Sequence, residues 1–282
     1  MLTKLDLGGL TLVGVSVGGV YTSILVPELS LILDAGMAPR SFVGARFLFL
    51  SHGHADHIGA LPALIGLRGL AHQPAPLTFL PAEIREDIAQ GVELFNRGQK
   101  RTIPTTFIGL VPGDDCGVEA DLRVRSFRTL HSVPSLAYLF YRRVAKLKSA
   151  FLGKSGREIA TLRGEGADLF DQVERLELAY VTDTLVEVLD QNQELYQSRV
   201  LILECTFLDD SRSVEETRLK SHIHLDEIVE RADRFQNETI VLMHFSQSYR
   251  PADVHRILAE RLPASLAQRV LALCPKTGMW PG

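Results

Sequence analysis

The chain has 282 residues, 46% of them hydrophobic, and its 30 Lys and Arg against 34 Asp and Glu leave a net charge of −4. That apolar content supplies a full core, and the absence of linkers, low-complexity tracts and solenoid-period repeats makes residues 1–282 read as one domain. Three scattered cysteines, Cys116, Cys205 and Cys274, exclude a disulfide framework or a cysteine zinc site and fit a reduced, cytoplasmic setting.

The first third reads as strands, at residues 10–16, 20–26 and 30–34, rich in Val, Ile and Leu and punctuated by Gly or Pro. Gly14-Val-Ser-Val-Gly18 formally matches the G-x-S-x-G of serine hydrolases. A nucleophile elbow needs strand, turn and helix, whereas residues 19–26 continue as a second β-like run, so this is a glycine-rich hairpin. The segment also lacks the Lys-Ser/Thr ending of a P-loop. Its apolar residues are too interrupted by Thr, Ser, Tyr and glycines to span a membrane.

A short buried strand at 45–50 then runs into Ser51-His-Gly-His-Ala-Asp-His-Ile-Gly59. His52, His54, Asp56 and His57 fall within six residues, at the end of an apolar strand, and such a cluster points to metal. In extended backbone His52 and His54 project to the same side, and Gly53 and Ala55 leave room for ligands to close around an ion. Imidazole with carboxylate suits zinc first, with manganese or iron as alternatives; calcium or magnesium would take oxygen ligands.

Helical patterns follow at 58–67 and 82–95, then strands at 122–129, 136–141, 177–182, 200–205 and 239–244, and helices at 226–235 and 251–262. The order is mixed α/β. Four polar residues share one placement at or beyond the end of an apolar strand: His131, Asp183, Glu204 and His244. Strand ends on one edge of a sheet converge, so these residues and the first cluster supply ligands enough for two ions.

The charge is uneven. Between Arg142 and Arg163 seven cationic residues, Lys146, Lys148 and Lys154 among them, face Glu158 alone, a local excess of +6 of the kind that neutralises phosphates.

The order His-x-His-x-Asp-His, His131, Thr182-Asp183-Thr184 and His244 resembles the metallo-β-lactamase superfamily. Within it the chain is similar to the ribonuclease Z family of tRNA 3′-processing endonucleases in their short, plant-type form. The narrower motifs are Leu203-Glu-Cys-Thr-Phe-Leu-Asp-Asp210, His222-Ile-His-Leu-Asp-Glu-Ile228 and Leu242-Met-His-Phe-Ser246, so the likeness covers nearly the whole chain.

The resemblance implies a four-layer αβ/βα sandwich, two mixed sheets flanked by helices. It implies two Zn2+ ions, with Mn2+ or Fe2+ as alternatives: one held by His52, His54 and His131, the other by Asp56, His57 and His244, with Asp183 between them. It further implies hydroxide attack on phosphorus, assisted by Asp56, and a histidine oriented by Glu204 as the acid that protonates the leaving oxygen. That histidine is His222, which begins its motif as the family's acid does, or His224 two residues on. Precursor tRNA is the implied partner and a homodimer the implied assembly. A general dinuclear phosphodiesterase, another small-substrate hydrolase of this fold and a non-catalytic RNA-binding relative are the alternatives. Two departures stand out: Thr182 replaces a usual glycine, and Ser248 precedes Tyr249 where the family often has arginine. The 142–163 stretch falls where relatives insert a tRNA-gripping arm, which makes Lys146, Lys148 and Lys154 candidate RNA contacts.

Overall fold

The structure, a computed structural model, describes residues 2–281. The first sheet takes β1 (Thr3–Asp6), β2 (Thr11–Gly18), β3 (Tyr21–Val26), β4 (Leu31–Leu33), β5 (Phe47–Phe49), β6 (Leu77–Pro81) and β7 (Thr106–Leu110) in that spatial order. The second is built from β8 (Asp115–Glu119), β9 (Leu122–Arg128), β10 (Leu136–Leu147), β11 (Phe170–Val181), β12 (Val200–Glu204) and β13 (Thr239–Met243). Directly after β13 the chain crosses to the first sheet as β14 (Phe245–Ser246), parallel to β2, and then returns to close the second sheet with β15 (Val270–Ala272) beside β13.

Period-two alternation explains the layers. Leu178 and Tyr180 of β11 join Ile24, Phe49, Phe79, Phe140 and Ile202 in the core between the sheets, while Ala179 and Val181 face the opposite way. That outer face is covered by the segments Leu225–Val229 and Pro251–Arg261, through Leu225, Ile228, Val254 and Ile257. On the far side Ile32, Leu48 and Leu80 meet Leu61, Leu64, Ile65 and Val92 of the helices Leu61–Leu70 and Arg85–Gly98. The result is helix, sheet, sheet, helix, as the resemblance implied.

Two local expectations change. The helix expected at 226–235 is broken into the α-turns Leu225–Val229 and a 3-10 segment Ala232–Arg234. The strand expected at 136–141 extends to Leu147, paired with β11 from Tyr138 onward, whereas β9 accompanies it only as far as Arg142. Residues 143–174 therefore project as a two-stranded arm whose connecting loop contains the helix Gly156–Gly164. Sequence alone concealed this because the arm strands carry charged residues on both faces, without the apolar alternation that marks a half-buried strand.

Candidate metal centre and acid pair

The strands β4, β5, β9, β11, β12 and β13 all end at one rim of the sandwich, and each delivers a polar residue there. Asp34, Asp183 and His244 follow their strands in left-handed backbone, with φ of 57°, 37° and 60°. Such conformations cost about 1–3 kcal/mol per non-glycine residue and persist where surrounding structure fixes them. The loop after β5 brings His52 and His54, then turns into the short helix Ala55–Ile58, which presents Asp56 and His57.

Ligand-type atoms of His52, His54, His131 and Asp183 lie within 4.8 Å of one another, as do those of Asp56, His57 and His244. Asp183 faces both groups. Its Oδ2 is 3.7 Å from His52 Nε2 and 3.9 Å from His131 Nε2, and its Oδ1 is 3.4 Å from His57 Nε2 and 3.3 Å from His244 Nε2.

The protein itself fixes which imidazole nitrogens face the centre. Ser51 Oγ donates its single proton to Asp34 Oδ2 at 2.8 Å, so it accepts from His52 Nδ1 at 2.9 Å. Thr206 Oγ1 likewise donates to Glu204 Oε2 at 2.6 Å and accepts from His244 Nδ1 at 3.0 Å. His57 Nδ1 donates to Asp34 Oδ2 at 2.7 Å. In all three rings Nε2 is left for the centre, the arrangement by which outer partners orient metal-ligating histidines.

The donor set fits cations. Among the described residues, His57 Nε2 and His244 Nε2 are buried without a hydrogen-bond partner. His54 Nδ1 lies 3.0 Å from His52 Nε2 and 3.2 Å from His131 Nε2, and one nitrogen has at most one proton to share between two neighbours. Two groups of lone pairs with carboxylates between them, in a buried rim, form a centre that a divalent ion satisfies.

Electrostatics follow the same division. Burial pushes the His52 and His131 imidazoles down, keeping them neutral. At His57 burial also acts downward, but the Asp183 and Asp34 charges outweigh it and raise the imidazole well above its ordinary range. Burial opposes ionisation of Asp56 and Asp183, yet the surrounding histidines hold both carboxyls below the usual carboxylate range.

Two further residues, Asp34 and Thr206, escaped the sequence reading. Asp34 is fully buried and accepts from Ser51 N, Ser51 Oγ, His57 Nδ1 and Tyr180 Oη, a complete set of donors for one carboxylate. Its signal was an aspartate closing the 30–34 apolar run; that of Thr206 was a hydroxyl two residues after Glu204. The glycine hairpin also serves this rim: Gly19, at φ 72°, donates its N–H to Asp56 Oδ2 at 3.0 Å. Gly36 packs so closely on the ligand helix that a Cβ there would fall 1.9 Å from the Asp56 carbonyl oxygen.

His222 and His224 have different surroundings. His222 Nδ1 donates to Glu204 Oε1 at 3.0 Å, and its ring lies 5.9 Å from that of His131 and 5.3 Å from that of His244. Burial pulls this imidazole down, but the Glu204 charge and hydrogen bond prevail and raise it to about 9. Glu204 is itself fully buried and held by Thr184 N and Thr206 Oγ1. His224 instead caps the segment Leu225–Val229, accepting from Asp226 N and reaching the Asp209 carbonyl. Thr182, in the place of the usual glycine, donates its hydroxyl to Asp183 Oδ1 at 2.7 Å.

The candidate lysines are elsewhere. Tyr138 pairs with Tyr180 near the centre, and Leu147 is the far end of the arm, roughly 30 Å away at about 3.3 Å per residue. Lys148 pairs with Asp168 and lies 3.9 Å from Asp171, Arg142 pairs with Asp121, and Arg143 lies 3.9 Å from Glu174. The folded arm is thus less basic than its 142–163 stretch read alone, because the returning chain brings carboxylates to it.

Residues 25–245 match the family described as the β-lactamase superfamily domain. The chain is 36% identical to tRNase Z TRZ1 of Arabidopsis thaliana over 95% of its own length and 96% of that protein. It is 33% identical to the chloroplastic tRNase Z TRZ2 of the same plant, over 92% of this chain and 74% of that one. Among solved structures, human tRNase Z, short form, superposes with a TM-score of 0.58 at 17% identity, covering 83% of this chain and 92% of that one, a likeness of fold. A match of this identity over nearly the whole of both chains, together with the superfamily domain at residues 25–245, assigns the chain to the β-lactamase superfamily and, within it, to the tRNase Z family.

Proposed function

We propose that this chain is a metal-dependent endoribonuclease that removes 3′ trailers from precursor tRNA. The observation that carries the reading is the His222–Glu204 pair: a partly exposed imidazole, held protonated by a buried carboxylate, at the edge of a cluster of metal-type ligands. A ribose 3′-oxygen is a poor leaving group and needs a proton in the transition state, whereas a thiolate does not.

In this reading His52, His54 and His131 would hold one zinc ion and Asp56, His57 and His244 a second, with Asp183 within reach of both groups and manganese or iron as alternatives. Such ions acidify water and neutralise charge on phosphoryl oxygens. The chain's own residues do the rest. Asp56, fixed by the Gly19 N–H, orients the attacking water through its carboxylate. His222 hands its Nε2 proton to the departing 3′-oxygen, while Glu204 holds Nδ1 and favours the charged ring before transfer. Thr206 ties Glu204 to His244, so the acid and the ligand set keep a fixed separation.

The arm, with Lys146 and Lys154 exposed on it, is read as the RNA-gripping element. Its distance from the centre of its own subunit supports a homodimer in which one copy grips while the other cuts. The three free cysteines suit a reducing compartment, and we place the enzyme in the cytoplasm on that ground. Among the described residues, no helix is long and apolar enough to cross a membrane.

The test incubates purified, zinc-loaded protein with precursor tRNA bearing a 3′ trailer, alongside an aryl phosphodiester and a β-lactam. Cleavage beside the discriminator base is expected. Turnover of the small diester alone would overturn the ribonuclease reading and leave a general phosphodiesterase.

A further inference from the structure

The acid histidine closes an exposed turn. His222 follows the helix Val214–Arg218 through Leu219, Lys220 and Ser221; Leu219 is 87% exposed, and Lys220 lays its ammonium over the Phe207 ring, 5.7 Å from the centroid. The carbonyl of buried Thr217 accepts the amides of Lys220 and His222 at 3.0 and 3.3 Å and so shapes the turn. Ser221 stands in left-handed backbone with φ of 58°, a conformation that a non-glycine residue keeps only where its surroundings fix it.

Arg218 is the residue of this turn whose side chain reaches two other elements. Its Nη1 donates to Glu227 Oε1 at 2.5 Å, and its Nη2 donates to Glu187 Oε1. Glu227 is buried, and its second oxygen accepts His224 N at 3.1 Å. Glu187 opens the segment Glu187–Gln191, four residues beyond Asp183. Burial acts upward on the Glu187 carboxyl, but the hydrogen bond from Arg218 holds it below its ordinary range, so this pair is ionised at neutral pH. A planar guanidinium fork fixes two carboxylates in set directions, whereas an ammonium acts as a point charge.

The acid is thereby anchored twice to the segment that carries Asp183. Its ring is held through Nδ1 by Glu204, which accepts from Thr184 N at 2.8 Å. Its backbone is held through Arg218 by Glu187. One anchor leaves the imidazole free to swing about the Glu204 bond; two set the direction and the reach of Nε2. We infer that Arg218 is a positioning residue for the acid: it fixes where His222 Nε2 stands relative to the ligand cluster, and it acts through His222 rather than on the substrate. The inference rests on the ribonuclease reading and adds to it the residue that aims its proton.

The test compares zinc-loaded wild type, Arg218→Met, Arg218→Lys and, as the reference for a lost acid, His222→Ala. Each is assayed on precursor tRNA with oxygen or sulfur as the leaving atom. A misplacement of about 1 Å can cost roughly 10²-fold, so Arg218→Met should lower kcat on the oxygen substrate by about that factor, with KM and zinc content near wild type. Sulfur departs without a proton, and on that substrate Arg218→Met should run close to wild type, as is expected of His222→Ala. Arg218→Lys keeps the charge and loses the fork. It should fall between wild type and Arg218→Met on oxygen and match wild type on sulfur.

Equal losses on oxygen and sulfur in both Arg218 variants would make the residue a general support of the fold and overturn the inference. A rise in KM with kcat unchanged would make it an RNA contact and overturn it too, as would no loss at all. Wild type that leaves both precursors intact removes the ribonuclease reading first. Cleavage by wild type, with sulfur rescue of His222→Ala and an indifferent Arg218, removes this inference alone.

Discussion

The two ends of the β10–β11 pair handle charge in opposite ways. At the Val181 end His52, His57 and His244 are buried and each has a dedicated partner, Ser51, Asp34 and Thr206, while the half-buried His222 has the buried Glu204. At the Leu147 end the charges are exposed and paired, where paired at all, with carboxylates from the returning strand. Buried pairs in low dielectric resist salt and fix geometry, whereas exposed pairs contribute little and are screened. The first end is built for position, the second for diffuse attraction.

Substitutions sharpen this contrast. The largest effect is expected at Asp183, whose two oxygens face both ligand groups. Asp183→Asn should strip bound metal, read by elemental analysis, and depress cleavage beyond the roughly 10⁴-fold that a general acid alone contributes. Retained metal with near-normal cleavage would break the claim that this end depends on position.

Asp34 touches no substrate. Asp34→Ala should nonetheless weaken metal affinity by about 10- to 100-fold, the usual effect of removing a histidine's outer partner. Competition with a chelator measures it, and unchanged affinity would show that His57 needs no orientation.

Glu204→Gln probes the acid through pH. A group raised to about 9 stays protonated below that pH, so acid-dependent cleavage in wild type is present at neutral pH and declines as pH rises through 9. Without the carboxylate the largest upward influence is gone, burial is opposed only by the more distant Asp183, and the imidazole falls. The alkaline limb of kcat/KM should move to lower pH; a limb that stays in place would remove Glu204 from this role.

The smallest effect is expected at the arm. Neutralising Lys146, Lys148 and Lys154 should weaken RNA binding at low salt and reduce its salt dependence, with little change at high salt. Lys148, already paired with Asp168, should contribute least of the three. A loss independent of salt would mean that the arm, like the other end, works by fixed geometry.

The same contrast explains what could be read from the residues alone. Strand-end histidines and carboxylates announce themselves, because an apolar run that stops at His131, Asp183 or His244 has a visible boundary. Their convergence was legible too, since parallel strands end on one edge. Asp34 and Thr206 were not, because an aspartate or threonine after a strand is ordinary, and only tertiary contact with His57 or His244 gives it a role. The choice between His222 and His224 depended on which one begins a helix, and a two-residue spacing does not say so. The balance of charge on the arm was not legible in the 142–163 stretch, because the carboxylates Asp168, Asp171 and Glu174 lie past its end and meet it only where the chain returns.

The most direct measurement changes the leaving atom. His222→Ala, at zinc content matched to wild type, is assayed on precursor tRNA with the ordinary 3′-oxygen at the scissile bond and on the same RNA with sulfur in that position. Sulfur departs without a proton, so the variant should lose roughly 10²- to 10⁴-fold on the oxygen substrate and recover most of the wild-type rate on the sulfur one. An equal loss on both would show that His222 is not the acid.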